Sequence, residues 1–558
     1  MRTTFLLFLS CFCFIVSISA ADGARPNVLL LYYDDLGFGD LGANHATGLD
    51  IPEDSKYLDS AQPTLTPNLD ALAAQGLRFT NAHSADGVCT PSRYAILTGR
   101  YAWRTRLKRG VLGGYSAPLL EAERLTMGKL FQQQGYKTAM VGKWHLGMQF
   151  FAKDGSPVDL GNDPTVLEND RIDFSKPLAS TPYHAGFDYF FGTPASLDMP
   201  PYAWIESAGG QVCMLTKGGI VVDGQVDFSQ AQFATNDSLE EGNSGYSRRG
   251  VYDPSFKHAD YLQIQAKKVS DLVQKWHAEE ESFFIYMPSP APHTPHAVQE
   301  RFAGSAGFAY GDYLVQTDYY AGEVLRALGD PADPNSAAAN TIVIVTSDNG
   351  PEKGATQKSL EVKHDANGPY RGIKRDNWEG GTRVPFIVRW PGVAQAGTTT
   401  DYPCSQVDIF ATLVEVMGIK VPDGTAEDSV SFLDVLKGAG GQDRGEPFIE
   451  HSAKGQFAIV DAAGEWKFIN GTKSGGNDLS FDADNLEIKD ALGKVGGEPG
   501  QLYHLKDDPG ERANLLLGSP SNAITDKKAE LVQQLRDMAG EDAFPAAKER
   551  SKDKSPVK

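Results

Sequence analysis

Nearly continuous apolar runs, each breaking off into acidic or polar residues, recur along the chain. Residues 27–33 (NVLLLYY) run straight into Asp34-Asp35-Leu36-Gly37, residues 282–287 (SFFIYM) into a Pro- and His-bearing loop, and residues 341–346 (TIVIVT) into Ser347-Asp348-Asn349-Gly350. Runs without polar alternation suit strands covered on both faces, as in a parallel sheet. Shorter apolar pieces predict further strands at 77–82, up to Val141, and at 384–390. Between them the spacing becomes helical. Thr66-Pro67 opens a Leu69, Leu72, Ala73 stripe that Gly76 closes, and Met127, Leu130 and Phe131 share one face of 126–134. Residues 261–277 carry Leu262, Ala266, Val269, Leu272, Val273 and Trp276 at helical intervals, and further helices are predicted near 313–328, 408–416 and 526–538. Strands alternating with helices predict an α/β fold with a mainly parallel central sheet flanked by helices.

Elsewhere the pattern weakens. Residues 150–178 read as a polar, Asp-rich insertion, HAGFDYFFG (184–192) as aromatic packing, and 209–252 as Gly-, Ser- and Asn-rich with strand-like pieces. The Gly-rich stretch at 438–444 marks a boundary. It divides a main domain, 22–440, from a smaller C-terminal α+β domain, 441–545, with a charged tail at 546–558. A chain of 558 residues exceeds what one core usually supports, which fits two units.

The first 21 residues pair Arg2 with an apolar stretch and small residues Ser19, Ala20 and Ala21, the layout of a secretory signal peptide. The apolar stretch is too short to span a bilayer comfortably, and no second long one follows, so no integral membrane segment is expected after cleavage. A secreted or periplasmic protein is the expectation. Cys89, Cys213 and Cys404 then remain, and a Cys213–Cys404 disulfide stays open. A net charge of −20 excludes nucleic acid as a partner. Against that field, RTRLKR (104–109) is either a basic patch serving an anion or a solvated loop.

The chemistry gathers where strands are predicted to end. CTPSRYAILTGR (89–100) places Cys89 at a helix start, with Pro91 in the first turn. Free N–H groups and the helix dipole favour an anion there, and Arg93 can add a bidentate partner. The alternative is a buried structural Cys beside a surface Arg. Asp34, Asp35, Asp348 and Asn349 are hard oxygen donors with no His or Cys in their motifs, which selects calcium or magnesium over zinc. The Asp-Asn-Gly could instead be a hairpin turn, but no alternating return strand follows. Lys143 and His145, alternating on a segment read as extended, point the same way. Together with Ser196, His293 and Lys374 they lie beyond predicted strand ends or in loops, where open α/β sheets bind ligands. These groups suit a substrate with a compact, oxygen-rich negative group.

The stretch CTPSRYAILTGR resembles the signature of the type I, formylglycine-dependent sulfatases, Cys-x-Pro-Ser-Arg followed by Leu-Thr-Gly. The match continues in order through DDLGFGD, GKWHLG, GFDYFFG, APHTPH, SDNGPE, the Lys374 loop with EGGTRVP, and LYHLKDDPGERANL. The resemblance implies the alkaline-phosphatase-like fold, with an antiparallel sheet and a packed helix at the C-terminus. It implies that Cys89 is oxidised to formylglycine by a formylglycine-generating or anaerobic sulfatase-maturing enzyme, with Pro91 and Arg93 in the conversion signal. The formylglycine hydrate is then the nucleophile. Calcium, or magnesium, is implied at Asp34, Asp35, Asp348, Asn349 and position 89. Arg93 would hold the hydrate, while Lys143, Lys374, Ser196 and His293 would contact sulfate. His293 would protonate the leaving alcohol and His145 would take the remaining hydroxyl proton. A sulfated carbohydrate is the implied substrate; Arg104 to Arg109, His364, Arg375 and Asp376 are candidate sugar-side residues from this sequence rather than from the resemblance. A phosphate or phosphonate ester hydrolase, or a non-catalytic sulfoglycan-binding protein, are the competing readings.

Overall fold

Along Asn27–Asp34 (β1) the side chains divide between two layers, Val28, Leu30 and Tyr32 on one side and Leu29, Leu31 and Tyr33 on the other. Both layers are fully covered, which is why the run tolerates no charge before Asp34. The computed structural model describes residues 25–544 except 45–51, 53–54, 59–63, 164–165, 167–170, 175, 208–213, 217–231, 235–246, 249, 254, 355–358, 361, 478, 481–487 and 490–499. The expected signal segment, Cys213 and the 546–558 tail lie outside the described residues.

Nine more strands join β1 in one sheet: β2 Leu77–Phe79, β3 Lys137–Lys143, β4 Tyr189–Thr193, β5 Trp204–Ser207, β6 Met214–Thr216, β7 Phe283–Pro292, β8 Thr341–Ser347, β9 Phe386–Arg389 and β10 Thr398–Thr400. Their order is β10-β2-β9-β8-β1-β7-β3-β4-β5-β6. The central five, β8, β1, β7, β3 and β4, run parallel, and antiparallel neighbours flank them. One layer of helices, α1 Pro67–Ala74, α4 Tyr261–Ala278 and α5 Ala309–Leu328, covers the Leu29 face. The other, α2 Cys89–Thr98, α3 Met127–Gln133 and α6 Asp408–Val416, covers the Val28 face. The expected α/β architecture is therefore observed, and the C-terminal ends of the parallel strands open together on one edge.

Several expectations shift. HAGFDYFFG supplies β4, an inner strand parallel to β3, rather than packing alone. The 150–178 segment is not a solvated loop throughout: Phe150, Val166, Ile172, Phe174 and Leu178 enter the core. Its apolar residues are too widely spaced to show a period. Cys404 is a buried free thiol on a two-residue strand pairing Cys404–Ser405 with Ala82–His83, and no disulfide occurs among the described residues.

A second, antiparallel sheet follows: β11 Phe448–His451, β12 Phe457–Val460, β13 Trp466–Ile469 and β14 Gln501–His504, in that order. Helix α7, Asn522–Ala543, is longer at both ends than its periodicity predicted and starts from a Ser521 cap. Its Leu531, Leu535, Ala539 and Ala543 pack with Ile449, Phe457 and Phe468, and the same cluster takes in Tyr101, Trp103 and Val407 of the large sheet's surroundings. No helix among the described residues is long and apolar enough to cross a membrane.

Candidate active site

The last residue of β1 and the first beyond β8 meet. Asp34, Asp35, Asp348 and Asn349 are all essentially unexposed. Asp35 has a positive φ of 66° that turns the chain sharply where β1 ends, and its amide donates to Asp348 Oδ1 at 3.2 Å. Asn349 Nδ2 donates to Asp35 Oδ1 at 2.7 Å. The ligand atoms of Asp34, Cys89 and Asp348 lie within 4.8 Å of one another, as do those of Asp34, Asp35 and His293.

Three buried cations face the three carboxylates. Arg93, one turn into α2, reaches Asp348 Oδ2 through Nε at 3.0 Å and Nη2 at 2.8 Å. Lys143, the last residue of β3, pairs with Asp34, and Lys374 Nζ lies 2.7 Å from Asp35 Oδ1 and 2.8 Å from Oδ2. Burial alone would raise the Asp34 carboxyl, but Lys143, His293, Arg93 and Lys374 hold it well below the ordinary range. Burial and the adjacent Asp34 charge push Asp348 up to about 7. Such crowding of carboxylates is what a bound cation relieves.

A divalent ion fits these residues on two further counts. Asp34 Oδ1 and Asn349 Oδ1 are buried with no hydrogen-bond partner in the protein. Orphaned buried oxygens are rare and call for an acceptor-seeking occupant. Every donor from the two acidic motifs is a hard oxygen, the set preferred by calcium and magnesium.

Cys89 opens α2 and is buried; burial pushes its thiol up to about 11, against the pull of Lys143 and Lys374. In its encoded form it is protonated at neutral pH, and the thiolate is the nucleophilic form. The helix closes on Gly99 in the left-handed conformation.

His145 is buried beside this group, but not for the predicted reason. Its φ of 58° breaks the extended run after Lys143, so simple alternation does not set its direction. Nε2 lies 2.8 Å from the Leu112 carbonyl, which assigns its proton to that nitrogen and leaves Nδ1 without a partner. Burial, reinforced by Lys143 and Arg93, holds its pKa well below the ordinary value. His293 follows β7, with Nε2 3.8 Å from Asp35 Oδ2. Ser196 sits three residues beyond β4, buried, its hydroxyl also unpartnered.

The proposed sugar-side residues fare unevenly. Arg104 grips Asp428 with Nη2 at 2.7 Å and stacks on Trp103, while Lys108 bonds the Trp103 carbonyl and Asp542. Arg106 reaches the Ala117 carbonyl. His364 is buried on Asp40 at 2.7 Å, and buried Asp376 accepts from the amides of Ile373 and Asn477. Arg104, His364 and Asp376 are thus engaged within the protein, while Arg106 and Lys108 make their contacts at the surface. Arg375, next to Lys374, is partly exposed and pairs with Glu352 at 2.8 Å. Glu352 closes the SDNGPE motif but was given no role from the sequence; Arg375 and Lys374 hold its carboxyl down at about 2 against partial burial. Its place directly after SDNGP was the available signal.

Comparison with known proteins is consistent throughout. The family model described as Sulfatase matches residues 26–419. An N-acetylgalactosamine-6-O-sulfatase of Bacteroides thetaiotaomicron is 30% identical over 534 residues, covering 92% of this chain and 93% of its own. Human arylsulfatase A is 30% identical over 499 residues, covering 88% and 84%. A solved structure from work on glycosaminoglycan metabolism by Bacteroides thetaiotaomicron, a 6S-sulfatase, superposes with a TM-score of 0.71 at 28% identity, covering 92% of this chain and 99% of that one.

Proposed function

The chain belongs to the sulfatase family, whose curated relatives are sulfuric ester hydrolases, and on that premise we propose that it removes sulfate from a sulfated carbohydrate through a formylglycine at position 89. The observation that carries this reading is the buried ring of Arg93, Lys143 and Lys374 around Asp34, Asp35, Asp348 and the Cys89 helix start. The sugar is proposed from the N-acetylgalactosamine-6-O-sulfatase relative, so a 6-O-sulfated N-acetylgalactosamine is the first substrate to try.

Asp34, Asp35, Asp348 and Asn349 would hold calcium, which supplies Lewis-acid polarisation of a sulfate oxygen. Oxidation of Cys89 by a maturing enzyme would replace its thiol with an aldehyde, whose hydrate supplies a nucleophilic hydroxyl. The remaining work falls to groups already in place. Arg93 orients the nucleophile from one turn away. Lys143 and Lys374 face sulfate oxygens with ammonium groups in a water-poor setting, where charge stabilisation is strongest. Ser196 offers its unpartnered hydroxyl to the same anion. His293, less deeply buried than its neighbours, donates a proton to the departing sugar oxygen. His145 accepts the second hydroxyl proton at Nδ1, the nitrogen that the Leu112 carbonyl leaves bare. Residues 1–21 support action outside the cytoplasm, and 22–440 with 441–545 are proposed as the two domains.

The test is a comparison of turnover on matched aryl sulfate and aryl phosphate, followed by a panel of position-defined sulfated sugars. Hydrolysis of sulfate with release of free sugar hydroxyl is expected. Preferential phosphate turnover would overturn the reading, and tight sulfoglycan binding without turnover would leave a binding protein instead.

A further inference from the structure

Cys89 owes its position to the five residues before it, and those residues are held from the C-terminal sheet. Residues 84–88 carry the chain from the short Ala82–His83 strand into α2. Asp86, buried in this loop, has both carboxylate oxygens and its carbonyl engaged. Oδ1 accepts from the Val88 amide at 3.2 Å, and Oδ2 faces His451 Nδ1 at 2.7 Å. The carbonyl accepts from Ser84 Oγ at 2.8 Å and Ser92 Oγ at 3.0 Å. His451, the last residue of β11, holds the loop twice, because its own carbonyl also accepts from the Gly87 amide at 2.8 Å. His451 is 2% exposed, and its ring packs edge-on against Phe457, its cross-strand partner in β12, at 4.7 Å.

The same strand end reaches the sulfate-binding loop. Arg375 donates its amide to the Gly87 carbonyl at 2.7 Å, and Ala453 donates to the Arg375 carbonyl at 3.1 Å. The nucleophile turn, the Lys374 loop and the end of β11 are thus joined by consecutive backbone hydrogen bonds. Among them, the His451–Asp86 contact is the side-chain bond that fixes the turn directly ahead of Val88 and Cys89.

We propose that His451, acting through Asp86, is a positioning residue for the nucleophile, so that the end of one strand of the C-terminal sheet sets the geometry of the nucleophile turn. This rests on the functional reading above, in which residue 89 reacts. Reaction rates depend on near-attack geometry, and a shift of about 1 Å can cost on the order of 100-fold. Loss of the His451 donor frees the Asp86 carboxylate to turn and the Val88 amide to follow it. The chemical step should suffer while sulfate binding, fixed by Lys143 and Lys374, should not.

The experiment compares full-length, matured wild type with His451→Leu, His451→Asn and Ile449→Ala, with activity normalised to the formylglycine content found by peptide mass spectrometry. Asn places an amide N–H where Nδ1 stood. Ile449→Ala thins the core that β11 shares with Ala85 while leaving both partners of the His451–Asp86 bond in place. The expected result is a kcat loss of about 10- to 100-fold for His451→Leu with KM little changed, substantial recovery in His451→Asn, and full kcat at 25 °C in Ile449→Ala. His451→Leu with wild-type kcat, or His451→Asn as slow as His451→Leu, overturns the proposal. Should His451→Leu not fold, Asp86→Ala must show the same kcat loss, and wild-type kcat there overturns it equally. A wild type inactive on every sulfate ester would instead sink the functional reading.

Discussion

At the scale of single residues, the site is a balance of buried charges. Asp34, Asp35 and Asp348 face Arg93, Lys143 and Lys374 with almost no exposure, and removing one member strands another without compensation. The acidic pairs were legible because charge directly after a fully apolar run has few structural reasons to exist. The direction of His145 was not, since a left-handed φ leaves no trace in the spacing of side chains. His258 illustrates a different buried histidine. Its Nε2 lies 2.9 Å from the Leu197 carbonyl, and burial lowers its pKa from 6.5 to about 4. As pH falls through that window the unfolded chain binds a proton that the folded chain refuses. The neutral ring therefore contributes stability above pH 6.5 that is lost towards pH 4, on the order of 3 kcal/mol. Thermal melts from pH 7 to 4 should show a shallower decline in His258→Gln than in wild type, and parallel curves would refute the assignment.

At the scale of elements, the uninterrupted apolar strands β1, β7 and β8 were plain in the sequence, and so were the amphipathic helices α1, α3, α4 and α6. Strand β4 was harder to read, because its aromatic residues suit packing and pairing alike. Two glycines explain how β4 docks. Gly192 lies opposite Gly142 in the parallel ladder, and a Cβ on Gly192 would sit 1.7 Å from the Gly142 carbonyl oxygen. Gly142 itself has φ 140° and immediately precedes Lys143. This close approach sets the spacing of the two strands where Lys143 turns towards Asp34. Gly192→Ala should accordingly destabilise the fold by about 1–3 kcal/mol and depress activity beyond what its melting temperature accounts for. Calorimetry paired with turnover at 25 °C checks this, and an Ala variant matching wild type in both would show that the contact is not limiting.

At the scale of the whole molecule, the large sheet and the C-terminal sheet meet through charges that no local pattern announces. Lys467 Nζ, from β13, lies 2.9 Å from Glu379, 2.7 Å from Glu450 and 3.4 Å from Glu511, all fully buried. His83 joins them through Glu450 at 2.7 Å. Each residue alone reads as an ordinary surface charge, and only the tertiary fold brings 83, 379, 450, 467 and 511 together. The candidate site was more legible than this junction, because its members sit at strand ends that hydropathy reveals. What the sequence cannot show directly is the chemical state of residue 89, on which the functional account turns. The decisive measurement is the mass of the tryptic peptide 79–93 from protein that is turning over a sulfate ester. Replacement of the Cys89 sulfur by oxygen with loss of two hydrogens, in proportion to activity, is the predicted result. Full activity from protein whose residue 89 remains an unmodified thiol would contradict it.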